Sequence, residues 1–219
     1  MRRTTVKFLL PVLAVSAIIL SSSLSFAVPI VPGGVQFPAV PEADPVGATL
    51  VFSTGPVNFS SATLAGTLRS NVWSNDLSNP FGPNALTFTY ELSAAPTSIH
   101  DLARLSVSNY GNFLTDASFN PAAGVPPTVI SRSLDGAAGE VMGFSFIAPA
   151  LAAGQSASTL VVQTNAVSFQ TTIASLINGT TASALSVAPL AVPEPSTLVL
   201  GGLGLCAVVL GMRNKRKTA

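Results

Sequence analysis

Charge is scarce in this sequence. Asp, Glu, Lys and Arg make up only 9% of its 219 residues, while 48% are hydrophobic; an ordinary soluble domain carries about 25% charged residues. Between residues 28 and 212 the cations shrink to Arg69, Arg104 and Arg132. All nine acidic residues lie in that stretch, leaving it at net −6. A nucleic-acid surface needs clustered Lys and Arg to displace phosphate counterions, so that class is excluded. The single cysteine, Cys206, excludes an intrachain disulfide framework. The single histidine, His100, leaves the common zinc ligand sets incomplete. No internal repeat and no amphipathic helical period of useful length occurs.

The remaining cations sit at the two ends, each beside an apolar run. Arg2, Arg3 and Lys7 precede Phe8–Leu20, a 13-residue apolar stretch broken only by Pro11 and Ser16. A polar segment follows and ends Ser25-Phe26-Ala27. A basic start, a short apolar core and small residues at the −3 and −1 positions are the parts of a signal peptide. Residues 1–27 are therefore expected to be removed by signal peptidase between Ala27 and Val28. The apolar core is shorter than the roughly 20 residues of a membrane span. No cysteine lies near the cut to carry a lipid.

The carboxyl end has three parts in a fixed order. Val192-Pro193-Glu194-Pro195 is stiff and extended, because each proline fixes its own φ and restricts the residue before it. Thr197–Met212 follows, 16 residues without a charge. As a helix this run would measure roughly 24 Å, a little short of a bilayer core of about 30 Å. It can span with local thinning and snorkelling. Arg213, Lys215, Arg216 and Lys217 close the tail and are expected to stay cytoplasmic by the positive-inside rule. The prolines would then face outward, beside the membrane.

That tail, Val192-Pro-Glu-Pro-Ser-Thr-Leu-Val-Leu-Gly-Gly-Leu-Gly-Leu and then Arg213 to Lys217, resembles the PEP-CTERM sorting signal. The resemblance covers about an eighth of the chain, and its specificity comes from three unlike parts in the right order. It implies that residues 192–219 are handled by an exosortase, a membrane-embedded cysteine protease or transpeptidase, in Gram-negative-type bacteria that make exopolysaccharide. The chain would be the substrate, not the enzyme. Its ectodomain would first stand outside the cytoplasmic membrane, anchored through residues 197–212. After processing it would reach the cell surface or be released, with exopolysaccharide as a further partner.

Between the ends, residues 28–47 hold five prolines and three glycines and are expected as a linker or irregular first segment. From residue 48 to 191 the pattern is apolar–polar alternation of period two. It runs through Leu86–Leu92, Ala103–Val107, Met142–Phe146, Leu160–Gln163 and Val167–Gln170. Turn signals separate the runs at Asn79-Pro80, Phe81-Gly82-Pro83, Asp135-Gly136 and Asn178-Gly179. The expected fold is all-β: an antiparallel β-sandwich ectodomain followed by one short C-terminal transmembrane helix.

Candidate chemistry in this middle is thin. His100 could act with Asp101 as a general base or a metal ligand, but adjacent strand residues point to opposite faces. No Gly-x-Ser-x-Gly elbow supplies a nucleophile. Asp76, Glu91, Asp101, Asp116, Asp135 and Glu140 are scattered, without the Asp-x-Asp-x-Asp spacing of a calcium loop. Asp76 and Asp116, in loop-like stretches, are the best placed of them for calcium. Trp73, Phe81, Tyr110 and Phe113 lie near Asn-rich segments where rings could stack on sugars; the alternative is that they cover the ends of the fold. No catalytic residue, metal ligand or cofactor is assigned. The residues favour a non-enzymatic surface or extracellular-matrix protein, then a carbohydrate-binding module, then a secreted hydrolase.

Overall fold

The computed structural model describes residues 29–190. The signal-peptide cut at Ala27–Val28, the Val192–Pro195 motif, the apolar run 197–212 and the basic residues Arg213, Lys215, Arg216 and Lys217 all lie outside them. Among the described residues no helix is long and apolar enough to cross a membrane.

Alternation sets the strands. In β4 (Thr87–Ala94), Phe88, Tyr90 and Leu92 turn to one face and are buried. The same logic gives β5 (Arg104–Val107), β8 (Met142–Ser145) and β9 (Thr159–Thr164). β10 (Phe169–Asn178) and β11 (Thr180–Pro189) form a long hairpin. Gly179 turns between them at φ +69°, a left-handed conformation that a side chain would resist. The other strands are β1 (Val35–Gln36), β2 (Thr49–Ser60), β3 (Ala65–Ser74), β6 (Thr115–Asn120) and β7 (Val129–Arg132).

The strands make two antiparallel sheets, one ordered β1-β7-β8-β5-β10-β11 and the other β2-β3-β4-β9-β6. One apolar cluster joins them, with Leu68, Val72, Phe88 and Val162 from the second sheet and Leu105, Ile130, Phe144 and Leu176 from the first. Polar groups reach across the same core. Ser70 and Ser186 share a hydrogen bond of 2.9 Å, and the Tyr90 hydroxyl donates to the Val187 carbonyl at 2.9 Å. The domain is all-β and sandwich-like.

The Pro/Gly-rich start takes the irregular form rather than that of a free linker. From Pro29 on it is packed against the sheets. Ile30 and Ala39 are buried. The Ile30 N–H donates to Thr115 O at 2.8 Å, β1 pairs with β7, and the Glu42 N–H donates to Phe119 O at 2.9 Å.

Arg132 locks this segment in place. Its guanidinium is buried and meets no carboxylate; it donates to Ile30 O at 3.0 Å, Tyr110 O at 2.8 Å, Phe113 O at 2.8 Å, Gly139 O at 2.9 Å and Thr115 Oγ1 at 2.8 Å. A longer contact reaches Ala138 O at 3.4 Å, so every arm of the five-donor fork is engaged.

Candidate functional site

The outer face of the five-stranded sheet is polar yet mostly buried. Strand register lines up Trp73, Thr87, Gln163 and Asp116 in one row, and Asn71, Thr89, Val161 and Ser118 in the next. Apart from Trp73 these residues are all buried. Buried polar groups need partners, and the loop after β3 supplies them through Asp76. Its Oδ1 accepts from the N–H groups of Val46 and Ser78 at 2.9 and 3.1 Å and from the Ser78 hydroxyl at 2.5 Å. Its Oδ2 accepts from Thr87 Oγ1 at 2.6 Å and Gln163 Nε2 at 3.1 Å. Burial is the largest influence on this carboxyl and pushes its pKa up, yet the donors together outweigh it and the net shift is downward. Asp76 is a staple that fastens segment 44–48 and the 75–86 loop to the sheet.

Two more carboxyls lie on this face. Burial raises Asp44; hydrogen bonds from Ser78 and Glu42 oppose the rise, and the Asp76 charge adds to it. Burial raises Asp116 to about 6, a backbone hydrogen bond from Ala117 opposes this, and the Asp44 charge adds to it. Asp116 lies within β6, not in the loop that the sequence suggested. Among the described residues no group of three or more His, Cys, Asp or Glu side chains is placed to hold a metal ion.

Where the covering segment stops, a groove of about 370 Å³ opens. Asp44, Pro45, Gly47 and Ala48 form one wall; Trp73, Thr89, Glu91, Asn120 and Thr159 line the rest. The polar groups here are held in position. Trp73 Nε1 donates to Thr89 Oγ1 at 2.9 Å. Asn71 Nδ2 divides between Thr89 Oγ1 at 3.2 Å and Glu91 Oε1 at 3.1 Å. Arg69 Nη1 donates to Glu91 Oε2 at 3.4 Å, and Asn120 Nδ2 to Asp44 O at 3.0 Å. The groove thus sets a half-buried indole next to fixed carboxylate and amide groups.

The other candidates separate. His100 and Asp101 are exposed, in the turn before β5, and no described serine or carboxylate hydrogen-bonds the imidazole. Tyr110 does not face sugars: it is fully buried, its hydroxyl meets that of Tyr90, and its ring packs edge-on against Phe88 at 6.0 Å. Phe81 and Phe113 are partly exposed in loops away from the groove. Phe113 lines a separate, smaller cavity of about 170 Å³ beside Arg132 and Asn112; of the four aromatics, Trp73 is the one in the groove with Glu91 and Asn120.

A profile of the PEP-CTERM protein-sorting motif matches residues 191–217. The chain carries a PEP-CTERM sorting motif. The match begins immediately after Leu190, the last residue described, and takes in Val192, Pro193, Glu194 and Pro195 together with Arg213, Lys215, Arg216 and Lys217. The PEP-CTERM motif implies recognition by an exosortase, with the chain as substrate, and export with membrane-associated sorting toward the cell surface. No curated protein and no solved structure matches the chain.

Proposed function

We propose that the chain is a non-enzymatic surface or extracellular-matrix protein. Signal peptidase releases it at Ala27–Val28, and residues 197–212 hold it across the cytoplasmic membrane as a short helix. Its β-sandwich stands outside, and an exosortase processes it at the PEP-CTERM motif. The observation that carries this reading is the sorting motif attached directly to an all-β domain. Proline on either side of Glu194 favours extended backbone, the form a protease binds. The basic cluster resists passage of the tail through the bilayer.

Glu194→Ala, or Pro193→Ala with Pro195→Ala, leaves the anchor intact and removes only the recognised segment. These variants should accumulate in the cytoplasmic membrane while the wild type moves on, as read by fractionation and immunoblotting. Identical size and distribution for variant and wild type would reduce the tail to a plain anchor.

A second reading, carbohydrate binding in the exopolysaccharide layer, is favoured by the Trp73 groove. Glycan-array binding that Trp73→Ala abolishes, with the fold retained, would support it. Absence of reproducible glycan binding would leave the surface-protein reading alone.

A further inference from the structure

Exposed apolar side chains gather at the end of the domain from which the chain leaves for its sorting motif. Backbone hydrogen bonds map that end. The Leu190 N–H donates to Ser168 O, Leu86 N–H to Ala166 O, and Asn165 N–H to Leu114 O; the Leu114 N–H returns to the Asn165 side chain. Next to these, the Ile30 N–H reaches Thr115 O and the Gly33 N–H reaches Ser133 O. On the other side Asn79 Nδ2 reaches Thr164 O. The loops joined in this way present Val31, Leu77, Leu114, Leu134, Val167 and Leu190, all exposed, with Leu77 at 81% and Val167 at 66%.

The opposite end, around the Gly179 turn, differs. There the Ile99 N–H bonds to Thr63 O, and Thr63 in turn bonds to Thr180. Among the described residues its large exposed apolar side chains are three, Phe37, Ile99 and Ile147, against six at the exit end, and His100 and Asp101 are exposed beside Ile99. No exposed Lys or Arg lies at the exit end among the described residues: Arg132 is buried there, and Arg69 and Arg104 lie on sheet strands elsewhere. An exposed carboxylate, Asp135, stands beside Leu134; the end has no attraction for anionic headgroups, and apolar contact is what it offers a neutral bilayer.

Chain length fixes what can cover it. Six residues, 191–196, separate Leu190 from Thr197, the start of the uncharged run. Even fully extended, those seven Cα-to-Cα steps reach no more than about 25 Å. A run that enters the bilayer therefore keeps this end of the domain within about 25 Å of the membrane, closer than any other part of the fold. We infer that the exit end is a lipid-docking face: before processing, Leu77, Leu114, Leu134 and Val167 rest in the outer interface of the cytoplasmic membrane and orient the domain, so that the Pro193–Pro195 segment is presented at a defined height to an enzyme embedded in the same bilayer. Exposed apolar patches mark interaction surfaces, and leucine and valine side chains enter a lipid interface favourably. The inference rests on the anchored reading proposed above.

The test uses the full chain in phosphatidylcholine proteoliposomes. Leu114→Cys, Val167→Cys, Ile99→Cys and Ile147→Cys are each made with Cys206→Ser and labelled with an environment-sensitive fluorophore; the unaltered chain is labelled at its own Cys206. Quenching by lipid-borne spin labels should be several-fold stronger at 114 and 167 than at 99 and 147, and unchanged in high salt. Equal quenching at the two ends, with Cys206 buried in lipid, overturns the docking face and leaves the anchor standing. Cys206 open to water overturns the anchor, and the docking face with it. Circular dichroism matching the unaltered chain confirms that each label reports on a folded domain.

Discussion

Arg132→Met tests how the domain closes on its amino-terminal segment. Methionine keeps the apolar stem and removes every donor. Two of the acceptors keep another partner. Ile30 O retains the Thr115 hydroxyl at 3.3 Å, and Tyr110 O retains the Phe113 N–H at 3.3 Å. Gly139 O and Phe113 O lose the donors that the guanidinium supplies at 2.9 and 2.8 Å. A buried acceptor left unmade costs about 1–3 kcal/mol; Gly139 O bears that in full and the part-buried Phe113 O in part, so the two together cost about 3 kcal/mol. For a domain of this size that lowers the melting temperature by roughly 10 °C. Arg104→Met is the control. Arg104 is partly exposed and donates only to the hydroxyls of Ser106, Ser131 and Ser145. Those can turn to water, and the loss should stay below about 1 kcal/mol. Urea unfolding of both variants beside the wild type measures the difference. If Arg132→Met lost no more than Arg104→Met, the buried guanidinium would not be holding the segment, and the reasoning would fail.

Asp116→Asn should change the pH dependence of stability. Burial raises the Asp116 carboxyl to about 6, so the fold favours its protonated form. That contribution is complete below about pH 4 and is lost as pH rises through about 6. A shift of about two pH units corresponds to roughly 3 kcal/mol. The asparagine variant should therefore gain on the wild type by up to that amount between pH 4 and pH 8 in urea unfolding. A gap that is the same at both pH values would refute the assignment. Removing residues 29–47 should destabilise the domain by several kcal/mol, since burying Ile30 alone is worth about 2 kcal/mol and Asp76 loses its bond from Val46. Unchanged melting of the shortened chain would show that the segment is a linker after all. Leu77→Ser with Val167→Ser should leave unfolding in urea within about 0.5 kcal/mol of the wild type, because both side chains are exposed and such surface changes are usually small; a larger loss would place them in the core.

The strands with one buried apolar face were legible from period two alone, as in β4 and β5. Those missed had lost the pattern for physical reasons. β3 turns Ser70 inward to meet Ser186, so a polar residue occupies a core position. β6 turns only Ala117 and Phe119 inward, between Asp116, Ser118 and Asn120, so its alternation is short and weakly apolar. β2 is an edge strand with bulges around Gly55 and Pro56, and much of it is exposed. Segment 29–47 reads as linker because it lacks any apolar–polar period; backbone hydrogen bonds and the burial of Ile30 and Ala39 hold it. Trp73 could be singled out by composition, but not its partners. Asp44, Glu91 and Asn120 reach the groove from three separated stretches of chain, a convergence that only the sheet register creates. Tyr110 failed as a candidate for the converse reason: asparagines surround it in sequence, while its ring turns into the core. The sorting motif is the one element whose meaning is contained within its own residues.

The most direct test of exosortase processing is the intact mass of the protein recovered from the cell surface or medium, together with its terminal peptides. The account predicts a polypeptide that begins at Val28, contains the whole β domain through Leu190, and ends at or near Val192–Pro195, without Arg213 to Lys217. Exported protein that still carries its basic tail through Ala219 would contradict it.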